Sequence, residues 1–304
     1  MIELLARTIT MGTPLLYGSL SEVYAERSGV MNTAIEGIFL LGAWAGFVAA
    51  YQTGGNLLIG ILAAILAGVL TAGLYGWITV YLKQHQIVTG TAINILALGF
   101  CAFFQRVIFG VPLTPLIVQP LPPIPLPILS QIPIIGPILF DQNILTYLIY
   151  ILVPIGSFVL FKTSLGLSIR SIGENPEAGD VAGLRVDHIR FLTILFAGVM
   201  CGVAGAFYSI GYLGLFTISI IGGRGWIAFA ICFLGNWSPR GVVIGTLIFG
   251  LAEAVAIFMQ SSGTGLFPNE LFIAMPYILT IVLTVARRSF NVPAQLGVPY
   301  RKEG

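Results

Sequence analysis

Between positions 29 and 82 the chain carries one charged side chain, Glu36, inside a stretch otherwise made of apolar, small and uncharged residues. Helices and strands that face water need a polar face, and this stretch offers none. The remainder is similar: 57% of residues are hydrophobic and 9% charged, whereas an average soluble domain holds about 25% charged residues. A hydrocarbon layer about 30 Å thick takes about 20 apolar helical residues to cross. Segments of roughly that kind recur near residues 8–25, 29–51, 56–82, 90–110, 142–161, 190–212, 224–237, 241–260 and 270–287. The expected fold is an all-α polytopic membrane protein, a bundle of about nine (8–10) transmembrane helices forming a single domain over residues 1–304.

Two of these segments are irregular. The stretch 224–237 is too short to cross alone without a broken partner helix or a thinned bilayer. Gly12 and Pro14 interrupt the first, and a re-entrant first segment would reverse the side on which the N-terminus lies. Residues 1–17 lack the basic start and small-residue cleavage site of a signal peptide, so the first span is expected to serve as its own insertion signal.

Lys and Arg accumulate on the cytoplasmic side of a membrane protein. Arg27, Lys83, Lys162, Arg170, Arg185, Arg190, Arg240 and the terminal Arg287, Arg288, Arg301 and Lys302 fall on one side of the expected bundle. The loops around Thr53, Leu116 and Thr264 carry none, and Arg224 sits at a boundary. This pattern places the N-terminus outside and the tail, residues 288–304, in the cytoplasm of a multi-pass plasma-membrane protein. The longest outer loop, residues 111–141, holds nine prolines. Proline lacks an amide donor and fixes φ, so this loop is expected to run as an extended strap over the outer end of the bundle.

Small residues recur every fourth position at Gly60, Ala64, Gly68, Ala72 and Gly76, and again at Gly198, Gly202 and Ala206. Such stripes let helix backbones approach closely and are read as packing seams. Cys101, Cys201 and Cys232 fall in apolar segments at unrelated spacings, as packing residues do, and the two histidines lie in polar loops, so no metal site is assembled.

The polar groups that remain within the spans carry the functional expectation. A charge at the bilayer centre costs about 3 kcal/mol, so Glu36 should face a cavity or a partner. Asn32 lies four residues earlier and would share its helix face, while Asn94 and Glu253 occupy other spans. Together Asn32, Glu36, Asn94 and Glu253 are candidates for a polar translocation pathway, with Arg106 as a further lining or pairing group. The competing reading makes the asparagines interhelical hydrogen-bond glue and Glu36 a hydrated interfacial residue.

The loop 162–190 holds the other informative stretch: Gly173, Glu174, Asn175, Pro176, Glu177, Ala178, Gly179 and Asp180, running on to Gly183. Asn175 suits an N-cap, Pro176 the first helical position, Glu177 the positive end of the helix dipole and Gly183 the stop. Asp187 is placed to cap the next span. A two-turn helix nucleates poorly in water, so one so fully punctuated is expected to dock on a partner.

That loop resembles the coupling segment of the membrane subunits of ABC importers, in the branch shared by sugar, branched-chain amino acid and nucleoside permeases. Glu26-Arg27-Ser28-Gly29-Val30-Met31-Asn32, followed by Ile35-Glu36-Gly37, is similar to the opening signature of the nucleoside (basic membrane protein-dependent) permeases. Gln86-Ile87-Val88-Thr89-Gly90-Thr91-Ala92-Ile93-Asn94, Gly223-Arg224-Gly225-Trp226-Ile227-Ala228, Pro276-Tyr277-Ile278-Leu279-Thr280 and the tail Leu296-Gly297-Val298-Pro299-Tyr300 fit the same subgroup. Gly179 departs from it, since alanine is the commoner residue there. The resemblance implies an importer subunit working with a second permease subunit, cytoplasmic ABC ATPase subunits and an extracytoplasmic substrate-binding lipoprotein, with a nucleoside as substrate. No G-x-x-x-x-G-K-[ST] loop occurs, so this chain is expected to hold no cofactor of its own, ATP and Mg being bound by the ATPase partners. A simple-sugar permease and an ion-coupled secondary transporter are the alternatives; a membrane enzyme would need a nucleophile, metal ligands or paired carboxylates on its helices.

Overall fold

The computed structural model describes residues 1–261, 269–286 and 289–302. The expectations placed on Thr264, Arg287 and Arg288 therefore lie outside the described residues. Twelve α-helices are described: α1 Ile2–Arg27, α2 Ile35–Gln52, α3 Leu57–Gly76, α4 Gln86–Phe109, α5 Ile135–Leu139, α6 Ile144–Lys162, α7 Ser164–Glu174, α8 Pro176–Val181, α9 Val186–Ala206, α10 Arg224–Leu234, α11 Pro239–Ser261 and α12 Asn269–Ala286. Two π-helical turns, Trp77–Tyr81 and Phe207–Leu213, continue α3 and α9.

Among the described residues, six helical stretches are long and apolar enough to cross a membrane: Ile35–Gln52, Leu57–Tyr81, Gln86–Phe109, Ile144–Lys162, Val186–Leu213 and Pro239–Gln260. Helix α1 is long but less apolar. It packs against α11, α9, α10 and α6, and every residue from position 11 to 26 is buried. A helix sheathed by protein keeps Thr, Ser and Glu that a lipid-facing helix cannot. Pro14 does not break it, and in the turns before it Thr8, Thr10 and Thr13 return their hydroxyls to the carbonyls of Leu4, Ala6 and Ile9.

The small-residue stripes meet one another. Helix α3 packs most extensively against α9, and a methyl built on Gly68 would stand 2.2 Å from the Gly198 carbonyl oxygen. One built on Gly202 would stand 2.4 Å from the Ala64 carbonyl oxygen, so these backbones touch directly.

The proline-rich segment is less uniform than an extended strap. A two-residue ladder pairs Ile124 with Gln142 and Pro125 with Asp141, and the short helix α5 includes Pro137. Pro137 fits there because a five-residue helix has mostly terminal amides, which lack helical partners anyway. The segment is tied to the π turn after α9, where Val118 N donates to Gly214 O (2.7 Å) and Leu121 N donates to Ile210 O (3.0 Å). It lies at the end of the bundle where α1 begins, since Thr10 donates to Gln142. The opposite end carries Arg27, α7, α8 and the chain from 289 to 302.

Candidate translocation site

Residues 28–34, which join α1 to α2, are not helical, and all but the half-buried Met31 are buried. Irregular backbone at membrane depth must find its hydrogen bonds within the protein. It does so through side chains from α3, α4 and α9. Arg190 Nε donates to Ser28 O at 3.0 Å, Met31 N donates to Gln86 Oε1 at 2.8 Å, and Tyr75 donates its hydroxyl to Met31 O. Asn94 takes the Gly37 amide on Oδ1 at 2.8 Å and gives Nδ2 to Thr33 O at 2.9 Å. Both ends of its amide are thus spent on the turn, which is the geometry of the hydrogen-bond glue rather than of a free pathway group.

Asn32 and Glu36 do not share a helix face, because α2 begins only at Ile35. Asn32 instead donates to Glu22 Oε1 at 2.8 Å, one turn along α1 from Glu26. Glu26 accepts the Trp237 indole N–H. Both carboxylates are wholly buried, and among the described residues neither joins an ion pair. The i, i+4 acidic spacing at the end of the first apolar segment is the sequence signal for this pair.

Glu36 lies in the first turn of α2 and faces the start of α10. Its Oε1 accepts the Gly223 amide at 2.7 Å and its Oε2 the Gly225 amide at 2.8 Å. Two helix N-termini, those of α2 and α10, therefore share one carboxylate, the charge their dipoles favour. Any side chain at 225 would collide, since a methyl there would stand 2.6 Å from Glu36 Oε2.

Beside this clamp, Arg224 pairs with Glu253 of α11, its Nε and Nη2 each 2.5 Å from Oε1. Nη1 donates to Ile220 O and Ile221 O at 3.2 Å, and the guanidinium carbon stands 5.3 Å from the ring centroid of Tyr208. Tyr277 of α12 donates its hydroxyl to Gly222 O. Of the four residues singled out from sequence, Glu36 and Glu253 thus converge on the α10 start; Asn32 and Asn94 belong to the α1–α2 turn. Arg224, Tyr208 and Tyr277 complete the cluster. In the sequence Arg224 stands out as a lone cation between apolar runs. Arg106 is exposed near the end of α4 and takes no part.

At the opposite end of α10 lies the capped segment. Asn175 accepts the Ala178 amide at 3.0 Å, Pro176 occupies the first turn, and Gly183 ends the helix at φ +87°. Gly179 faces inward, and a methyl there would stand 3.0 Å from Ile172 Cγ2, so glycine lets α8 lie close on α7. Gly173 sits so near α1 that a methyl on it would stand 2.1 Å from Arg27 O. Asp187 does not cap α9; it pairs with Lys83 at 2.6 Å across the α3–α4 turn.

Helices that break inside a bundle, with buried charged groups at the break, characterise membrane transport proteins. Residues 4–284 match the family described as branched-chain amino acid transport system / permease component, and the chain belongs to that family. It is 36% identical to the guanosine ABC transporter permease protein NupQ of Bacillus subtilis, over 97% of this chain and 95% of that one. It is 35% identical to the nucleoside ABC transporter permease protein NupC of Lactococcus lactis, over 98% and 96%. The putative glucose ABC transporter permease protein TsgC13 of Haloferax volcanii is 34% identical over 88% of this chain and 80% of its own. Among solved structures, an inward-facing conformation of a putative metal-chelate type ABC transporter shares the fold, with a TM-score of 0.51 at 17% identity over 93% of this chain and 85% of that one.

Proposed function

We propose that this chain is the membrane-spanning permease subunit of an ABC importer for nucleosides, forming the pathway by alternating access driven by separate ATPase subunits. The observation that carries the reading is the near-complete match, at 36% and 35% identity, to two permeases named for guanosine and for nucleosides. In this reading the six apolar stretches, α1, the half-length α10 and α12 make up nine spans. Arg27, Lys83, Arg170, Arg185, Arg190 and Arg240 mark the α8 end as cytoplasmic by their charge. ATPase subunits then act on residues 173–180 of α7 and α8. A second permease subunit completes the pathway, and an extracytoplasmic lipoprotein delivers the nucleoside at the proline-rich end.

The path from motor to gate runs through close contacts. Gly173 bears on Arg27, residues 28–34 follow Arg27 without slack, and Glu36 two residues further holds Gly223 and Gly225. Movement of α8 is thereby transmitted to the start of α10.

Uptake of labelled guanosine and glucose, in cells with and without this chain, tests the proposal. Guanosine uptake that requires the chain, fails on ATP depletion and survives collapse of the proton gradient is the expected result. Loss on gradient collapse alone overturns it in favour of an ion-coupled carrier. Glucose uptake without guanosine uptake selects the sugar reading, which the similarity to TsgC13 favours.

A further inference from the structure

Among the described residues, two buried polar atoms beside Arg224 have no hydrogen-bond partner: the hydroxyl of Tyr208 and Oε2 of Glu253. The two residues are 3% and 6% exposed. An unmade buried hydrogen bond costs about 1–3 kcal/mol, and native proteins keep few of them without a use. Both groups flank the same guanidinium, which is itself fully engaged by Glu253 Oε1 and the carbonyls of residues 220 and 221. What remains open is one donor, the tyrosine O–H, and one acceptor, the free carboxylate oxygen.

Local structure places them deliberately. Tyr208 lies in the π turn Phe207–Leu213, where the extra residue per turn rotates side chains away from the register of α9. Glu253 comes from α11 and Arg224 from the first position of α10, so three separate helical elements bring the groups together. Tyr277, whose hydroxyl reaches Gly222 O, and Trp226, two residues after Arg224, are both partly exposed.

The geometry points to Tyr208 and Glu253 as a subsite for a neutral ligand with adjacent hydroxyls, the cis-diol of a ribosyl group. This rests on the nucleoside-importer reading. One hydroxyl of such a diol donates to Glu253 Oε2 while the other accepts from Tyr208. The free carboxylate oxygen repels a phosphate, and Glu36, Glu253 and Arg224 sum to one net negative charge; nucleosides are admitted and nucleotides refused. A 2′-deoxyribosyl ligand leaves one of the two protein groups unpaired, and a site built around hydroxyls rejects analogues that lack them.

The test is uptake of labelled guanosine and 2′-deoxyguanosine at saturating concentration, by cells carrying the complete importer with wild-type, Tyr208→Phe or Glu253→Gln permease. Because the binding protein is the same throughout, a change in the ribo-to-deoxy ratio belongs to this chain. Tyr208→Phe keeps the ring against Arg224, and Glu253→Gln keeps an oxygen for it. The wild type is expected to favour the riboside; the variant that removes the partner of the 2′-hydroxyl is expected to lower the ratio by about three- to tenfold, the worth of one hydrogen bond, and the other variant to slow both substrates alike. If both substrates slow equally in both variants, with the ratio unmoved, the groups are structural and the subsite is overturned. If wild-type cells take up neither nucleoside, the importer reading itself fails, and the subsite with it.

Discussion

The carboxylate of Glu36 and the amide of Gly225, 189 positions apart in the chain, lie 2.8 Å from each other and fasten α2 to α10. With the second bond, from Gly223, both oxygens are spent on backbone amides. Glu36 is therefore the clamp of the α10 start. Glu36→Gln retains one acceptor and loses the charge, while Glu36→Ala leaves two buried amides unpaired. Charge-assisted bonds are each worth about 1.5–3 kcal/mol, so Glu36→Ala should lower stability in detergent markedly more than Glu36→Gln. Thermal unfolding followed by a thiol-reactive dye reads this directly, since Cys101, Cys201 and Cys232 are all buried. Equal midpoints for the two variants would show that the amides find other partners.

The α3–α9 seam gives a second expectation. Because a methyl at 68 would stand 2.2 Å from the Gly198 carbonyl oxygen, even Gly68→Ala forces the two backbones apart. Overpacking of this kind costs about 1–3 kcal/mol. Gly99→Ala is the control, since nothing lies within 4 Å of a methyl there. Yield of folded protein after detergent extraction should fall for Gly68→Ala and hold for Gly99→Ala; equal yields would mean that the seam relaxes freely.

The seams and the α8 caps could be read from the sequence because both depend on local pattern. A stripe of small residues every fourth position, or an Asn-Pro start with a glycine stop, has one physical meaning wherever it occurs. The site was only half legible. Glu36 and Glu253 stand out as charges in apolar helix, but what they hold depends on contacts between residues nearly 30 to 190 positions apart, which no local pattern carries. Asn32 falls off the expected helix face because the second apolar segment, which opens at Gly29, becomes helical only at Ile35. Asp187 looked like a cap, yet Lys83 across the α3–α4 turn draws it elsewhere. The π turn that rotates Tyr208 has no sequence signature here.

If α8 couples this chain to ATPase partners, as proposed, its cap separates folding from coupling. Asn175→Ala removes the acceptor for the Ala178 amide and costs about 1 kcal/mol of helix stability. Ala178→Pro removes the amide itself and leaves the Asn175 side chain without its donor. Neither position lies in a span, so insertion and yield should match the wild type. Uptake in cells should fall, steeply for Ala178→Pro and modestly for Asn175→Ala, while ATP hydrolysis by the assembled transporter continues. Normal uptake in Ala178→Pro would mean that α8 bears no load.

The chain after α12 is strapped across the α8 end, and its fastenings differ in kind. Gln295 N donates to Gly173 O and Gly297 N to Gly29 O, both at 3.0 Å, and the buried Arg190 gives Nη1 to Val298 O at 2.9 Å. Lys302 and Asp180, by contrast, meet in the open at 2.9 Å. Exposed pairs contribute little, whereas a charged donor held inside the protein contributes about 1.5–3 kcal/mol per bond. Lys302 holds the Asp180 carboxyl below its ordinary range, and Asp180 raises the Lys302 ammonium above its own. A depressed carboxylate contributes fully above the ordinary Asp value of about 3.9 and loses that contribution as pH falls through the folded value. The raised ammonium keeps its contribution below the ordinary Lys value of about 10.4 and loses it as pH rises through the folded one. Between pH 5 and 9 the pair is therefore constant, and strap docking should not vary with pH. Hydrogen exchange of the Gln295 and Gly297 amides reads the docking. Arg190→Leu should speed their exchange by about tenfold or more, and Lys302→Glu should change it little. The reverse ranking would place the strap under the control of its surface charges and make it sensitive to salt.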